Sequence, residues 1–100
     1  MLKVRYTRHA QRDLRKILTQ IRQEAGDPIA KGFLTRIRSK IARLSHDGPR
    51  YRERPELGPG RRAILIGNYM VFYVVVVDAV VIQRVLYGSR EITQAVLDEK

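Results

Sequence analysis

Cysteine and tryptophan are absent from this 100-residue chain, histidine occurs twice, and acidic residues number half the basic ones. Without cysteine there are no disulfides and no thiolate metal sites. His9 and His46 stand alone with no HExxH spacing, which leaves no ligand set for a catalytic metal. Ser39, Ser45 and Ser89 have no base beside them, and no glycine-rich phosphate loop is present. Nucleophilic triads and nucleotide cradles are set aside, and no cofactor is expected. The most apolar stretch, YMVFYVVVVDAVVI, is too short to span a bilayer and is broken by Asp78, so no membrane association is expected. The opening MLKVRYTRH lacks the apolar core of a secretory signal, and the expected compartment is the cytoplasm.

What is present is basic charge. The formal net charge is +10, with a pI near 10.7. Residues 1–46 hold twelve Lys/Arg against three acids (Asp13, Glu24, Asp27), while residues 47–100 hold eight against seven. That asymmetry points to an acidic partner for the first half, either nucleic acid or an acidic protein, with a merely solubilising surface as the plain alternative. A content of 44% hydrophobic and 30% charged residues is that of an ordinary folded domain, here one domain over residues 1–100.

Hydrophobic period gives the elements. Residues 2–6 alternate apolar and basic, as a half-buried strand does. Thr7 is placed to N-cap a helix whose stripe is Ala10, Leu14, Ile17, Leu18, Ile21 and Ala25, ended by Gly26. Asp27-Pro28 starts a second helix with a capping residue and a proline at the first position, and its stripe includes Phe33, Leu34, Ile37 and Ile41. Residues 45–60 are rich in glycine and proline and read as a loop. Strands follow at 62–66, 69–76 and 80–87, with Gly67-Asn68 as the first hairpin turn. Ile92, Ala95 and Val96 can form one side of a short final helix. The expected fold is α+β, a two-layer β-α-α-β-β-β arrangement with a helical hairpin on a small antiparallel sheet.

The middle strand is apolar on both faces: Tyr69, Val71, Tyr73 and Val75 on one, Met70, Phe72, Val74 and Val76 on the other. A face open to water would alternate with polar residues. The C-terminal segment, a second copy or another protein must therefore cover it, or the strand curls into a small core. The chemistry-bearing residues that remain are Arg61, Arg62, Tyr69, Tyr73, Arg84, Tyr87 and Arg90. Arginine stabilises phosphoryl charge and tyrosine stacks on bases or exchanges a proton, which suits a metal-free ribonuclease. The same pair of residue types suits a protein-binding surface equally well.

Thr-x-x-Ala-x-x-Asp-Leu at residues 7–14, RPELGPGRRAILIGNYMVFYVV and IQRVLYGSRE together resemble the ParE/RelE superfamily of bacterial type II toxins, over essentially the whole chain. The resemblance implies a helical hairpin on a small antiparallel sheet and neutralisation by an acidic antitoxin in a hetero-oligomer. RelE-like members are ribosome-dependent mRNA endonucleases, and ParE-like members block DNA gyrase. Where RelE-like enzymes carry an arginine after the tyrosine opening the middle strand, this chain has Met70. Gly88-Ser89-Arg90 keeps their next arginine without the lysine, and Val96 stands where they have a tyrosine. Loss of such groups removes large electrostatic contributions to catalysis, whereas Leu-Gly-x-Gly-Arg-Arg and Arg-Val-Leu-x-Gly-x-Arg-Glu look ParE-like. The resemblance thus implies a gyrase poison with no catalytic residue, a ParD-like antitoxin and, as the alternative, an mRNA interferase. Arg62, Arg84, Tyr87 and Arg90 are the expected toxic surface, though many relatives have histidine in place of Tyr87. Leu14, Leu18, Phe33, Ile37, Met70 and Phe72 are the expected antitoxin contacts. Direct nucleic-acid binding is compatible with the charge but not required.

Overall fold

A computed structural model describes residues 2–88 and 92–99. In chain order it contains β1 (Lys3–Tyr6), α1 (Arg8–Ala25), α2 (Asp27–Ala42), α3 (Leu44–Asp47), β2 (Arg62–Ile66), β3 (Tyr69–Val75), β4 (Ala79–Tyr87) and α4 (Gln94–Leu97). Thr7 caps α1 by accepting a hydrogen bond from the Ala10 N–H at 3.0 Å. Gly26, at φ 89°, closes α1 and opens α2 in one residue, a backbone conformation for which glycine is suited. Asp27 is therefore the first residue of α2 rather than its cap. Its carboxylate pairs with Arg22 and lies at the positive end of the α2 dipole.

The sheet runs β1-β4-β3-β2. β2, β3 and β4 are antiparallel neighbours, as hairpin connections require. β1 differs: it pairs in parallel with β4, Lys3 opposite Ala79 through Tyr6 opposite Ile82. The sheet is thus mixed rather than wholly antiparallel. No tight turn joins β1 to β4, so nothing forces their directions to oppose.

The helical hairpin covers one sheet face. Ala10, Leu14, Phe33, Ile37 and Ile41 pack against Val71, Tyr73, Val80, Ile82 and Val85. The chain itself covers the middle of the other face, where Leu57 and Leu97, with Ile92 and Val96, lie over Phe72, Leu86 and Met70, while Leu65 and Val76 at its margins stay exposed. The C-terminal segment, the first of the coverings expected from the sequence, does this work, aided by a 3-10 turn at Pro55–Leu57. Its single helical turn, α4, is capped by Thr93.

Residues 45–60 are less irregular than their glycine and proline content suggested. They include most of α3 and two 3-10 turns, and they anchor to the core. Tyr73, fully buried, donates its hydroxyl to the Gly48 carbonyl at 2.8 Å. Gly48 permits this approach, since a Cβ there would lie 3.1 Å from a methyl of Val80. Burial pushes the Tyr73 hydroxyl pKa up to about 12. The native state therefore holds this proton more tightly than the unfolded chain. The associated stability is complete below pH ~10 and is lost as pH rises toward ~12. Tyr73→Phe is expected to cost about 1–2 kcal/mol by removing a buried hydrogen bond, leaving the Gly48 carbonyl with only the longer bond from the Tyr51 N–H at 3.4 Å. It should also flatten the alkaline limb of a pH series of urea melts; an unchanged limb would show that Tyr73 does not titrate there.

Candidate partner-binding site

The end of β4 is built around a bulge. Phe72 lies opposite Arg84 but the next residue, Tyr73, lies opposite Ile82, so Gln83 is an extra residue in β4. β1 stops opposite Ile82. Beyond that point α1 takes the place of a neighbouring strand. The Thr7 N–H donates to the Ile82 carbonyl at 2.9 Å and the Thr7 hydroxyl to the Gln83 carbonyl at 3.1 Å. The Val85 N–H donates to the Asp13 carboxylate at 3.0 Å. Asp13 thus satisfies an edge amide that would otherwise invite another strand.

Arg84 is the centre of this arrangement, almost wholly buried where, with Asp13, it meets the floor of the groove beside Tyr87. Its Nε and Nη2 reach the two Asp13 oxygens at 2.8 and 3.2 Å. Its Nη1 donates to the carbonyls of Val96 and Leu97 at 3.0 and 3.3 Å. The residue is only 6% exposed. The expectation that Arg84 faces a target is corrected: the bulge turns it toward an internal acid and the chain terminus. Arg61 is held similarly, by Gln83, the Leu57 carbonyl and Asp98, each at 2.8 Å. Arg62 donates to the Tyr51 carbonyl at 2.8 Å and pairs with Glu53 at 3.5 Å, so it fastens the 48–61 segment rather than projecting from it.

Tyr87 does project, at 49% exposure. Its ring meets Tyr69 edge-on with centroids 5.6 Å apart, and Tyr69 meets Phe33 in the same way at 5.2 Å. Burial, then the neighbouring Tyr87 and Glu24, raise the Tyr69 hydroxyl above its ordinary pKa. Tyr69 therefore holds its proton at neutral pH. Arg90 lies outside the described residues.

Tyr87 borders an open groove of about 560 Å³ lined by Lys16, Ile17, Gln20, Tyr69 and Val85. A second groove, of about 600 Å³, continues from it at the hairpin tip, sharing Glu24 and lined by Ile21, Pro28, Ile29, Phe33 and Arg36. Ile29 is 58% exposed. Of the expected antitoxin contacts, Leu14 and Ile37 are buried under the hairpin and Phe72 under the C-terminal segment. Ile37 and Phe72 offer almost no surface to a partner in the free chain, and Leu14 only touches the floor of the groove beside Tyr6, because a 3.6-residue apolar period marks an inward face without saying what fills it. Phe33 is also core but its edge reaches the tip groove. Leu18 lines a separate groove beside Tyr6, and Met70 lies at the margin of the covered outer face. The sequence reading missed Asp13, Ile17, Ile21 and Ile29 as surface or positioning residues. Asp13 had a signal, as the one acid in an otherwise basic first helix up to Glu24.

Among the described residues no helix is long and apolar enough to cross a membrane. A search of curated protein sequences gave no significant match. Among solved structures, the chain is similar to one from the chromosomal ParDE toxin-antitoxin system of P. aeruginosa. That likeness has a TM-score of 0.78 at 21% identity and covers 87% of this chain and 96% of that one. It is also similar to one from the RelBE2 toxin-antitoxin complex of Mycobacterium tuberculosis, with a TM-score of 0.58 at 28% identity, covering 86% and 96%. Residues 4–92 match the sequence profile of the ParE toxin of the type II toxin-antitoxin system parDE, and the chain belongs to that family.

Proposed function

We propose that this chain arrests growth by binding and poisoning DNA gyrase, without bond chemistry of its own, and that an acidic ParD-like antitoxin neutralises it. The observation that carries the choice of binding over chemistry is the state of Arg84. A nuclease needs a guanidinium free to meet a phosphate in the transition state. Arg84 already gives its donors to Asp13, Val96 and Leu97. Met70, where RelE-like enzymes carry an arginine, packs its side chain against the outer apolar cluster. Tyr87 is then a half-exposed aromatic anchor, with Arg84 positioning the strand that bears it. Arg90 completes the toxic surface in this reading.

The two grooves, which share Glu24, fit an amphipathic helix: Ile21, Ile29 and Phe33 at the hairpin tip take its buried stripe, and the mixed lining beside Tyr87 takes its polar flank. The surplus of cations on the hairpin steers an acidic antitoxin and makes its capture fast and salt-sensitive.

Induction of the chain without an antitoxin is expected to abolish gyrase supercoiling while translated mRNA stays whole. Tyr87→Ala is expected to weaken inhibition of purified gyrase by roughly tenfold or more. Its melting temperature should stay within a few degrees of the parent, because half of the ring is already in water. Rapid mRNA cleavage at translating ribosomes with supercoiling intact would overturn the gyrase reading in favour of an mRNA interferase.

A further inference from the structure

We propose that the outward face of the helical hairpin binds double-helical DNA through its phosphates, centred on the shallow groove between α1 and α2. This goes beyond toxicity at the β4 end, and the choice of DNA as the duplex rests on the gyrase reading, since that enzyme works on duplex DNA.

The charges of this protein fall into two populations. Among the described residues of the second half, every arginine but the exposed Arg52 has a carboxylate partner: Arg50 with Asp47 and Arg54 with Glu56 at the surface, and Arg61 with Asp98, Arg62 with Glu53 and Arg84 with Asp13 more deeply. The hairpin differs. Arg8, Arg12 and Arg15 on α1, and Lys31 and Arg38 on α2, are all exposed and have no carboxylate partner among the described residues. The spacing of four and then three residues places the α1 arginines on one face, and seven residues separate Lys31 from Arg38 on one face of α2. Arg15 and Arg38 line the same groove, with Gln11 and Tyr6, and its volume of about 230 Å³ is ample for a phosphate group. The Tyr6 hydroxyl is raised above its ordinary pKa by burial and drawn back by Arg38, which places that guanidinium within electrostatic reach of the hydroxyl. The groove has a leucine floor of Leu14, Leu18 and Leu34, and its rim presents two guanidinia, an amide and a hydroxyl, all donors suited to a phosphodiester.

Duplex fits better than single strand. Single-stranded nucleic acid is gripped by aromatic faces on which bases stack, and the exposed aromatics, Tyr51 and Tyr87, lie outside this groove. Two rows of cations on helices whose axes pack ~8–10 Å apart present charge with no exposed ring beside them, the groove's own Tyr6 being half-buried, which suits contact with the backbone alone.

The test is fluorescence anisotropy of the full chain with a labelled 20-base-pair DNA duplex over a salt series. The expected plot of log K against log salt has a slope between roughly −3 and −5, from about five displaced counterions. Arg15→Gln/Arg38→Gln should shrink that slope by roughly two and weaken binding by about tenfold or more at the lower salt. Lys40→Gln/Arg43→Gln removes the same charge from the other flank of α2, where these residues line a groove with Tyr51 and β2, and should leave the slope nearly unchanged. Arg15→Lys/Arg38→Lys should restore most of it, which guards against a folding artefact. No binding at low salt, equal effects of the two Gln pairs, or tighter binding of a duplex RNA of the same length would each overturn the proposal. The assay contains no gyrase, so its result is separable from loss of the supercoiling effect.

Discussion

Arg84→Met is expected to lower the melting temperature by more than about 10 °C. The parent side chain satisfies four acceptors at once: both Asp13 oxygens and the carbonyls of Val96 and Leu97. The methionine variant leaves the Asp13 carboxylate, whose side chain is 11% exposed, with the Val85 N–H as its remaining hydrogen bond. Removing one member of a buried ion pair typically costs about 3–5 kcal/mol, and in a domain of this size each kcal/mol is worth about 4–8 °C. The diagnostic comparison is Asp13→Leu/Arg84→Met. With both charges gone the stranded carboxylate is gone too, and the double variant should be more stable than Arg84→Met alone. Urea melts of the three proteins and the parent complete the cycle. A single variant that melts within ~1 kcal/mol of the parent would show that solvent reaches Asp13 freely.

Deletion of residues 92–100 is expected to convert the protein into one that binds hydrophobic dyes and self-associates. The segment buries Leu97, and with Ile92 and Val96 it seals Phe72, Leu86 and Leu57. Full burial of a leucine alone is worth about 1.5–3 kcal/mol. The deletion also removes two acceptors from Arg84 and Asp98 from Arg61. A contiguous apolar face exposed in this way is a site for association. Size-exclusion chromatography with light scattering reads the outcome directly. A truncated chain that stays monomeric and melts like the parent would show that the outer face does not need this cover.

The order of elements was legible in the sequence because the apolar periods of α1, α2 and β3 are unambiguous and Thr7, Gly26 and Gly67 mark their limits. So was the need to cover a second sheet face, since Met70 and Phe72 have no reason to be apolar otherwise. The covering itself was not legible: four residues of α4 carry too weak a pattern to decide between a self-seal and a partner. The parallel pairing of β1 was missed because strand direction across a long connection leaves no local signature. The misreading of Arg84 has a definite cause. Residue type and resemblance single it out, and neither records its partner Asp13, 71 residues away in the chain, nor the bulge at Gln83, which appears only in the pairing register. Leu14 and Ile37 were misjudged as partner contacts for a related reason, since the same stripe serves a core and a groove.

The meeting of Asp13, Arg84 and the Val96–Leu97 carbonyls joins three stretches of chain that are made at very different times during synthesis. The hairpin emerges first, with its apolar stripe and its unpaired cations, but its sheet platform is supplied by the second half of the polypeptide. β1 has no strand partner until β4 has been made. The last acceptors of Arg84 come from residues 96 and 97 of 100. Because domains acquire such distant contacts only once the contributing segments are available, the strand end that bears Tyr87 takes its final shape last, when residues 96 and 97 have joined the first helix around Arg84.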